Sequence, residues 1–299
     1  MIFQEIIPSL SDIRQLLPSR PKTAHKGTMG KVLIIAGSFG LAGAALLSSK
    51  AVVRSGAGLT TLATVRSLAG LIDVTNLEVM TVALAETRQG TISNRAIARL
   101  REIIPKMDTV LIGPGLSSNK QTLQCITDIL QFISQKAAHV RTVVDADGLK
   151  ALKPLVRRLR QPLILTPHLG ELAQLVNKPI REVQINVRLY AQQVADRYGA
   201  VVLAKSSCSL IIKPRSRQYL AVTNGNPGLA KGGSGDVLAG MIAGLWYAHR
   251  LNTYTAAAVG AYIHALAGNV AAHTQSIDGI IASDIITAIP VALKYVKGF

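Results

Sequence analysis

Three kinds of residue are scarce in this chain of 299 residues: cysteine, the aromatic residues and the acidic residues. The two cysteines, Cys125 and Cys208, form no CxxC pair and have no histidine at metal-ligand spacing, so a disulfide framework and a zinc site are excluded. This cysteine usage favours a reducing cytoplasm. Aromatic residues make up only 4%, which leaves few of the stacking platforms that single-stranded nucleic acids need.

A signal peptide and a membrane span are not expected either. Glu5, Pro8 and Asp12 interrupt every apolar run near the N-terminus, and no basic segment precedes them. The longest apolar stretch, residues 256–267, is too short and too polar to cross a bilayer. We expect it to be a buried core helix, with His264 as a hydrogen-bonded core residue.

The shortage of acidic residues leaves the chain strongly basic, with 33 Lys and Arg against 16 Asp and Glu and a net charge of +17. A basic protein attracts polyanions, either nucleic acid or nucleotides that carry several phosphates. The densest basic cluster, residues 153–160 with Arg157 near its centre, has no aromatic residue between its charges. We therefore interpret it as a solvated face and expect no nucleic-acid partner.

Short apolar runs alternate with longer helical patterns along the chain. Apolar runs typical of buried parallel strands occupy residues 32–36, 58–62, 79–84, 109–112, 142–144, 163–165 and 201–204. Helical spacing follows at 43–54, 236–250, 254–273 and 283–288, and the segments 209–212 and 219–222 predict an antiparallel hairpin. The pattern predicts one α/β domain over residues 1–299, with a central, mostly parallel β-sheet flanked by helices on both faces.

Loops rich in Gly, Pro, Asp or His follow five of these strands. In open α/β sheets, ligands bind beyond the carboxyl ends of the strands, so these loops predict a nucleotide or substrate crevice. Asp145 and Asp147 lie in one such loop. They either cap the helix that follows or hold Mg²⁺ through water.

The most informative segment is a glycine cluster at residues 232–235, directly before a helical pattern. Free N–H groups at a helix start form an anion site with the helix dipole, and glycines let the backbone approach a phosphate closely. Asp236 falls in the first turn of that helix, where we expect the dipole to lower its pKa. Asp236 is either a base beside the phosphate or only a favourable N-terminal charge. The P-loop pattern and GxGxxG after a strand are both absent, which excludes those two phosphate-binding classes.

Taken together, eight segments resemble the ADP/ATP-dependent NAD(P)H-hydrate dehydratase family, whose fold is ribokinase-like. They occur in order along nearly the whole chain: residues 25–30 (HKGTMG), 36–38 (AGS), 43–45 (GAA), 54–58 (RSGAG), 112–116 (IGPGL), 145–149 (DADGL), 165–171 (LTPHLGE) and 226–236 (NPGLAKGGSGD).

The resemblance implies a kinase-like first half-reaction. The C6 hydroxyl of hydrated NADH or NADPH takes the terminal phosphate of ADP or ATP, with Mg²⁺, and loss of phosphate restores the dihydronicotinamide. Asp236 matches the family's base and substrate contact, and Ala44, Gly115 and His168 match its other contacts with the hydrated dinucleotide. The nucleotide-binding residues implied are Lys205, Ser206, Ser207, Cys208, Ser209 and Gly235, and the anion hole is Gly233, Ser234 and Gly235.

Two alternative functions remain open at this point. A vitamin-precursor or sugar kinase on the same fold would release a stable phosphorylated product, and a regulatory nucleotide-binding protein would lack a usable base.

The resemblance also implies a homotetramer that works with a separate NAD(P)H-hydrate epimerase. ADP is favoured over ATP because the bacterial members of the family favour it.

Overall fold

The computed structural model describes residues 4–155 and 158–298, so Arg157 of the basic cluster lies outside the described residues. One sheet of ten strands runs through this part of the chain. The strands are β1 (Gln4–Ile6), β2 (Lys31–Ile35), β3 (Leu59–Val65), β4 (Met80–Leu84), β5 (Thr109–Ile112), β6 (Arg141–Val144), β7 (Leu163–Leu165), β8 (Val201–Ala204), β9 (Ser209–Ile212) and β10 (Gln218–Val222).

The strand order is β1-β10-β9-β8-β7-β6-β5-β2-β3-β4, and only β9 runs antiparallel to its neighbours. The predicted mostly parallel sheet and the predicted hairpin of β9 and β10 are therefore confirmed. The short β1 is not predicted by any apolar pattern. Its three residues are all exposed and are held by parallel pairing with β10, a backbone contact that leaves no signature in side-chain polarity.

Helices occupy the segments between the strands. They are α1 (Leu10–Leu16), α2 (Ala42–Arg54), α3 (Arg66–Thr75), α4 (Ile97–Ile103), α5 (Lys120–Lys136), α6 (Asp147–Lys150), α7 (Leu169–Val176), α8 (Ile180–Ile185), α9 (Val187–Tyr198), α10 (Ser234–Ala248), α11 (Thr253–Thr274) and α12 (Ala282–Lys297).

Both faces of the sheet are covered. Successive side chains of a strand point to opposite faces, so a strand that is buried at every position must be packed on both sides. β5 and β8 are buried at every position. This burial confirms the predicted helices on both faces and explains why these strands are apolar except for Thr109 at the start of β5.

The prediction that the last helix covers only residues 283–288 is wrong. α12 continues through Pro290 to Lys297. A proline removes one helical hydrogen bond, but here Ile285, Ile289 and Val296 are buried on the same helix. This burial holds the segment beyond the proline against the core.

Helix α10 packs unusually closely on α2. Cβ atoms built at Gly240 and Gly244 would lie 2.3 Å from the Ser48 carbonyl oxygen and 2.6 Å from that of Val52. Only glycine permits this approach. The contact places the N-terminus of α10, with the glycine cluster before it, at the edge of the sheet where the parallel strands end.

Helix α11 is the one helix among the described residues that is long and apolar enough to cross a membrane, so the expectation that this stretch is too short is wrong. It is nevertheless a core helix, because 67% of its most apolar window is buried inside the protein. His264 lies in this helix and is itself buried.

Candidate active site

Polar side chains gather where adjacent parallel strands end. β6, β7 and β8 lie side by side, and Asp145, Thr166 and Lys205 directly follow them. The N-terminus of α10 reaches the same place, since a Cβ built at Gly235 would lie 3.3 Å from Lys205 Nζ. The loops that were predicted to line a crevice therefore bring together residues far apart in the chain.

Lys205 lies at the centre of this group. Its Nζ is 2.7 Å from Asp145 Oδ1 and 4.0 Å from Glu171 Oε2. The Thr166 hydroxyl donates to the same Asp145 oxygen at 2.8 Å. Burial opposes the charge on Lys205, but Asp145 and Glu171 outweigh it and raise the pKa of the lysine. A permanent ammonium group thus stands beside the glycine cluster.

His168 and Glu171 form a capping box at the start of α7. The His168 Nδ1 accepts hydrogen bonds from the backbone N–H groups of Gly170 at 3.0 Å and Glu171 at 3.3 Å. The Glu171 Oε2 in turn accepts from the backbone N–H of His168 at 2.8 Å. Burial lowers the pKa of His168, and nearby Lys205 lowers it further. His168 is therefore a neutral capping residue at pH 7, and its side chain remains 58% exposed.

Glu171 is a carboxyl group in a mostly buried position, with 12% of its side chain exposed. Burial raises its pKa to about 7, with Lys205 opposing and Asp145 adding to the rise. A carboxyl group with a pKa near 7 can give up or take a proton at physiological pH.

Asp236 is the third residue of α10, in the first turn as predicted. The expectation of a lowered pKa is wrong: burial and the charge of Asp145 raise the pKa of Asp236 to about 6, against the opposing effect of Lys205. The helix dipole acts in the expected direction, but a carboxylate that loses water and faces another carboxylate is destabilised more strongly.

The glycine cluster forms the turn that begins α10. Gly233 is the N-cap of α10 with φ +88, a left-handed conformation that favours glycine. A Cβ built at Gly232 would meet nothing within 4 Å, so open space adjoins the turn. By helix geometry, the N–H groups of Gly235 and Asp236 have no carbonyl partner one turn earlier.

Ser234 is buried beneath this turn and is held by His264. The His264 Nε2 lies 3.0 Å from the Ser234 carbonyl oxygen and 3.3 Å from its hydroxyl. Burial lowers the pKa of His264 to about 4. His264 is thus a neutral, hydrogen-bonded core residue, as predicted, and it fixes the start of α10.

Ala44 and Gly115 face each other where the segments after β2 and β5 meet. Gly115 has φ +63, and a Cβ built there would lie 2.7 Å from the Leu41 carbonyl oxygen and 3.1 Å from Ala44 Cβ. The Ser38 hydroxyl donates to the Gly115 carbonyl oxygen at 2.8 Å. The loops after β2 and β5 are therefore joined in a tight backbone contact, and small residues are required at both positions.

Residues 206–209 form a compact turn between β8 and β9. The Ser206 hydroxyl donates to the Cys208 carbonyl oxygen at 2.5 Å, and the Ser209 hydroxyl donates to the Ser206 carbonyl oxygen at 3.2 Å. Ser206 and Ser207 are exposed. Lys205 points away from this turn into the carboxylate cluster, so the structure divides the predicted segment into two parts.

The two aspartates after β6 do not cap the next helix, because the start of α6 has no side-chain capping bond. Asp145 is paired with Lys205, and Asp147 is paired with Lys150 at 2.7 Å and accepts from the Ser117 N–H at 2.9 Å. Among the described residues, no group of three or more His, Cys, Asp or Glu side chains is placed to hold a metal. These carboxylates are engaged by lysines rather than arranged as a metal cage.

Comparison with known proteins assigns the chain to one family. The family model described as NAD(P)H-hydrate dehydratase matches residues 32–291. The chain belongs to the NAD(P)H-hydrate dehydratase family. The ADP-dependent (S)-NAD(P)H-hydrate dehydratase of Xanthomonas campestris is 34% identical over 89% of this chain and 88% of its own length.

A second group of relatives in the family is longer. The bifunctional NAD(P)H-hydrate repair enzyme of Moorella thermoacetica is 39% identical over 94% of this chain, but only 52% of that relative is covered. The chain therefore spans about half the length of these bifunctional relatives.

Solved structures agree on a ribokinase-like fold. A ribokinase-like superfamily protein from Enterococcus faecalis has a TM-score of 0.83 and 27% identity, covering 99% of this chain and 98% of its own. The ADP/ATP-dependent NAD(P)H-hydrate dehydratase from Bacillus subtilis, co-crystallized with ATP and Mg²⁺, has a TM-score of 0.84 and 27% identity, covering 97% and 98%.

The predicted site residues thus form three local groups in this family member. Lys205 adjoins the Gly233–Asp236 turn and is joined to His168 by a backbone bridge. Residues 206–209 form a separate turn, and Ala44 faces Gly115. Glu171 is absent from the predicted site although it lies in a quoted motif. The signal that points to it is an acid three residues after His168 at a strand end, the spacing of a capping box.

Proposed function

We propose that this chain removes water from the S form of hydrated NADH and NADPH, with ADP or ATP as the phosphoryl donor. Membership of the family supports the reaction class and favours it over a vitamin-precursor or sugar kinase. The observation that carries the proposal is the position of Asp236, a carboxylate in the first turn of α10, behind an open glycine turn and near the Lys205 ammonium.

In the first half-reaction, the C6 hydroxyl oxygen attacks the terminal phosphorus of the donor. The bond from that phosphorus to the donor's bridging oxygen breaks, and the hydroxyl proton passes to Asp236. A base whose pKa is about 6 is ionised at pH 7 and still has useful basicity. Phosphate then leaves C6, and the ring regains its double bond.

The transferring phosphate develops charge that must be stabilised. The Gly233, Ser234 and Gly235 turn offers backbone N–H groups at the positive end of a helix, and we assign it as the anion hole. Lys205 adds a charge beside Gly235. Its ion pair with Asp145 holds the ammonium group in place, so no reorganisation is needed when the phosphate arrives.

The two ligands occupy different parts of the crevice. We assign Ala44, Gly115 and His168 to the hydrated dinucleotide, and the turn of Ser206, Ser207, Cys208 and Ser209 with Gly235 to the adenine nucleotide. The close Ala44–Gly115 contact supports a flat, small-residue surface for the first. The exposed serine turn supports a polar surface for the second.

A Mg²⁺ ion fits this site only when it is bound to the phosphates of the nucleotide. Mg²⁺ usually keeps several waters and binds through substrate phosphates and one or two carboxylates. Asp145 and Asp147 would hold it through its waters, since Lys205 and Lys150 already engage them. The ion would neutralise charge on the donor's phosphates.

We also propose a homotetramer in the cytoplasm that works together with NAD(P)H-hydrate epimerase activity. Exposed apolar side chains on α3 and after it support burial against a second copy: Leu71 at 49%, Val74 at 73% and Leu77 at 83% exposure. Light scattering of the wild type and of Val74→Glu tests the assembly, and a wild-type monomer would contradict it.

The activity is tested by incubating hydrated NADH with ADP and ATP in parallel. We expect dihydronicotinamide absorbance to recover only when nucleotide is present, with one phosphate released for each hydrate repaired. Recovery without nucleotide would contradict the proposal. A stable phosphorylated product in place of free phosphate would identify a kinase.

A further inference from the structure

The repair reaction removes two protons from the hydrate, and the proposed function accounts for only one of them. The first leaves the C6 hydroxyl for Asp236. In the second half-reaction the C6–O bond breaks, phosphate departs with that electron pair, and the ring nitrogen forms a double bond to C6. A proton must then leave C5, so that its C–H electrons form the C5–C6 double bond and the nitrogen regains its lone pair.

We propose that Glu171 is the base that accepts the C5 proton, a second catalytic residue distinct from Asp236. This inference rests on the proposed dehydratase function. Asp236 already holds the hydroxyl proton when the second half-reaction begins, so we assign the C5 proton to a different carboxyl group near Lys205.

The other carboxylates near the crevice are already engaged. Asp145 is only 2% exposed and is bound by Lys205 Nζ and the Thr166 hydroxyl, both to its Oδ1. Asp147 is bound by Lys150 and by the Ser117 N–H. Both carboxylates are thus held in ion pairs at 2.7 Å, whereas Glu171 Oε2 lies 4.0 Å from Lys205 Nζ, so we assign neither aspartate as the acceptor.

His168 is excluded by its tautomer. Its Nδ1 accepts hydrogen bonds from two backbone N–H groups, at 3.0 and 3.3 Å, so Nδ1 cannot carry a proton in this geometry. The neutral ring must then carry its proton on Nε2, which makes Nε2 a donor and not a base. That Nε2 lies 3.4 Å from Glu171 Oε1. His168 Nε2 is therefore a donor, and Glu171 is the carboxyl group that lies beside it.

Glu171 has the geometry of a proton acceptor. Its Oε2 is fixed by the His168 backbone N–H at 2.8 Å, which leaves Oε1 on the side of the exposed His168 ring. The charges that act on it come from Lys205 after β8, Asp145 after β6 and Asp147 in α6. Burial raises the pKa of Glu171 to about 7, which suits a group that must take a proton and release it again at neutral pH.

The alternative is that Glu171 only caps α7, and Glu171→Gln separates the two roles. Glutamine at this position still reaches back to the N-cap N–H, so the capping box survives while the proton acceptor is lost. The matched control is Asp12→Asn, which makes the same change in the capping box of α1 with Ser9.

Single-turnover reactions with ADP then measure the two half-reactions separately. AMP, measured by chromatography of quenched samples, reports phosphoryl transfer. Dihydronicotinamide, measured by absorbance, reports the elimination of phosphate. For Glu171→Gln we expect AMP to form within about threefold of the wild-type rate while absorbance recovers ~10²-fold or more slowly, with the phosphorylated hydrate visible in ³¹P spectra. For Asp12→Asn we expect both rates unchanged. Wild-type recovery of absorbance in Glu171→Gln, or equal slowing of both halves, would overturn the assignment.

The wild-type enzyme provides a second test that does not depend on a folded variant. The absorbance phase should accelerate as pH rises through about 7, because Glu171 must be ionised to accept a proton. An absorbance phase that is flat from about pH 5.5 to 8.5 would refute the role of Glu171. Absence of both AMP and absorbance in the wild type would instead refute the proposed function itself.

Discussion

Replacement of Asp236 by asparagine should make the protein less active and more stable at once. Asparagine keeps the size of the side chain and removes the proton acceptor, so kcat should fall by ~10²–10⁴-fold. Nucleotide affinity should change little, or rise slightly because a negative charge near the phosphates is lost.

The gain in stability follows from the raised pKa. Burial raises the pKa of Asp236 from 3.8 to about 6, so the folded state binds this proton more tightly than the unfolded state. Stability is therefore lost as pH rises from 3.8 through about 6, and asparagine avoids that loss. A shift of about two units corresponds to ~3 kcal/mol at pH 8, or a rise in Tm on the order of 5 °C for a chain of this size.

Thermal unfolding at pH 8 and pH 4 measures this effect, with kcat measured on the same preparations. The rise in Tm should be present at pH 8 and nearly absent at pH 4, where the wild-type carboxyl is protonated in the folded state. Asp12→Asn is the control with the opposite sign, because hydrogen bonds from Ser9 lower the pKa of Asp12 and its stabilisation is greatest at high pH. An Asp236→Asn variant with wild-type kcat and no rise in Tm at pH 8 would refute the buried-base argument.

Three further substitutions test other parts of the site. His168→Asn keeps an N-cap acceptor for α7 but removes the Nε2 donor. Calorimetry should therefore show weaker binding of hydrated NADH and unchanged binding of ADP. Equal losses of affinity for both ligands would count against separate pockets. Gly115→Ala should lower Tm and activity because its Cβ would lie 2.7 Å from the Leu41 carbonyl oxygen. Gly40→Ala is the control for backbone strain alone, since Gly40 has a similar positive φ and a Cβ there would meet nothing within 4 Å. Lys205→Met should destabilise the fold by about 3–5 kcal/mol in urea unfolding, since it leaves the carboxylate of Asp145 buried and unpaired, and the more exposed Lys150→Met should cost much less.

Much of the fold could be predicted because its signals are local. Strands buried on both faces are largely apolar, so β7 and β8 stand out as uninterrupted apolar runs, and β5 and β6 as apolar runs that begin with one or two polar residues. The glycine turn and Asp236 are likewise adjacent in the chain, so their order alone predicts an anion site at a helix start. Elements held by backbone pairing or by distant packing, such as β1 and the end of α12, leave no such pattern.

The pKa values and ion pairs of the site could not be predicted from the sequence. Asp236 lies in a first helical turn, where the dipole predicts a low pKa, yet burial and the facing Asp145 raise it. Asp145, Glu171 and Lys205 come from three separate segments and meet only because β6, β7 and β8 are neighbours in the sheet. A pKa depends on how much water a group loses and on which charges face it. Sequence determined which chemical groups are present at the strand ends, and only the tertiary structure decided which of them are paired, buried or left to accept a proton.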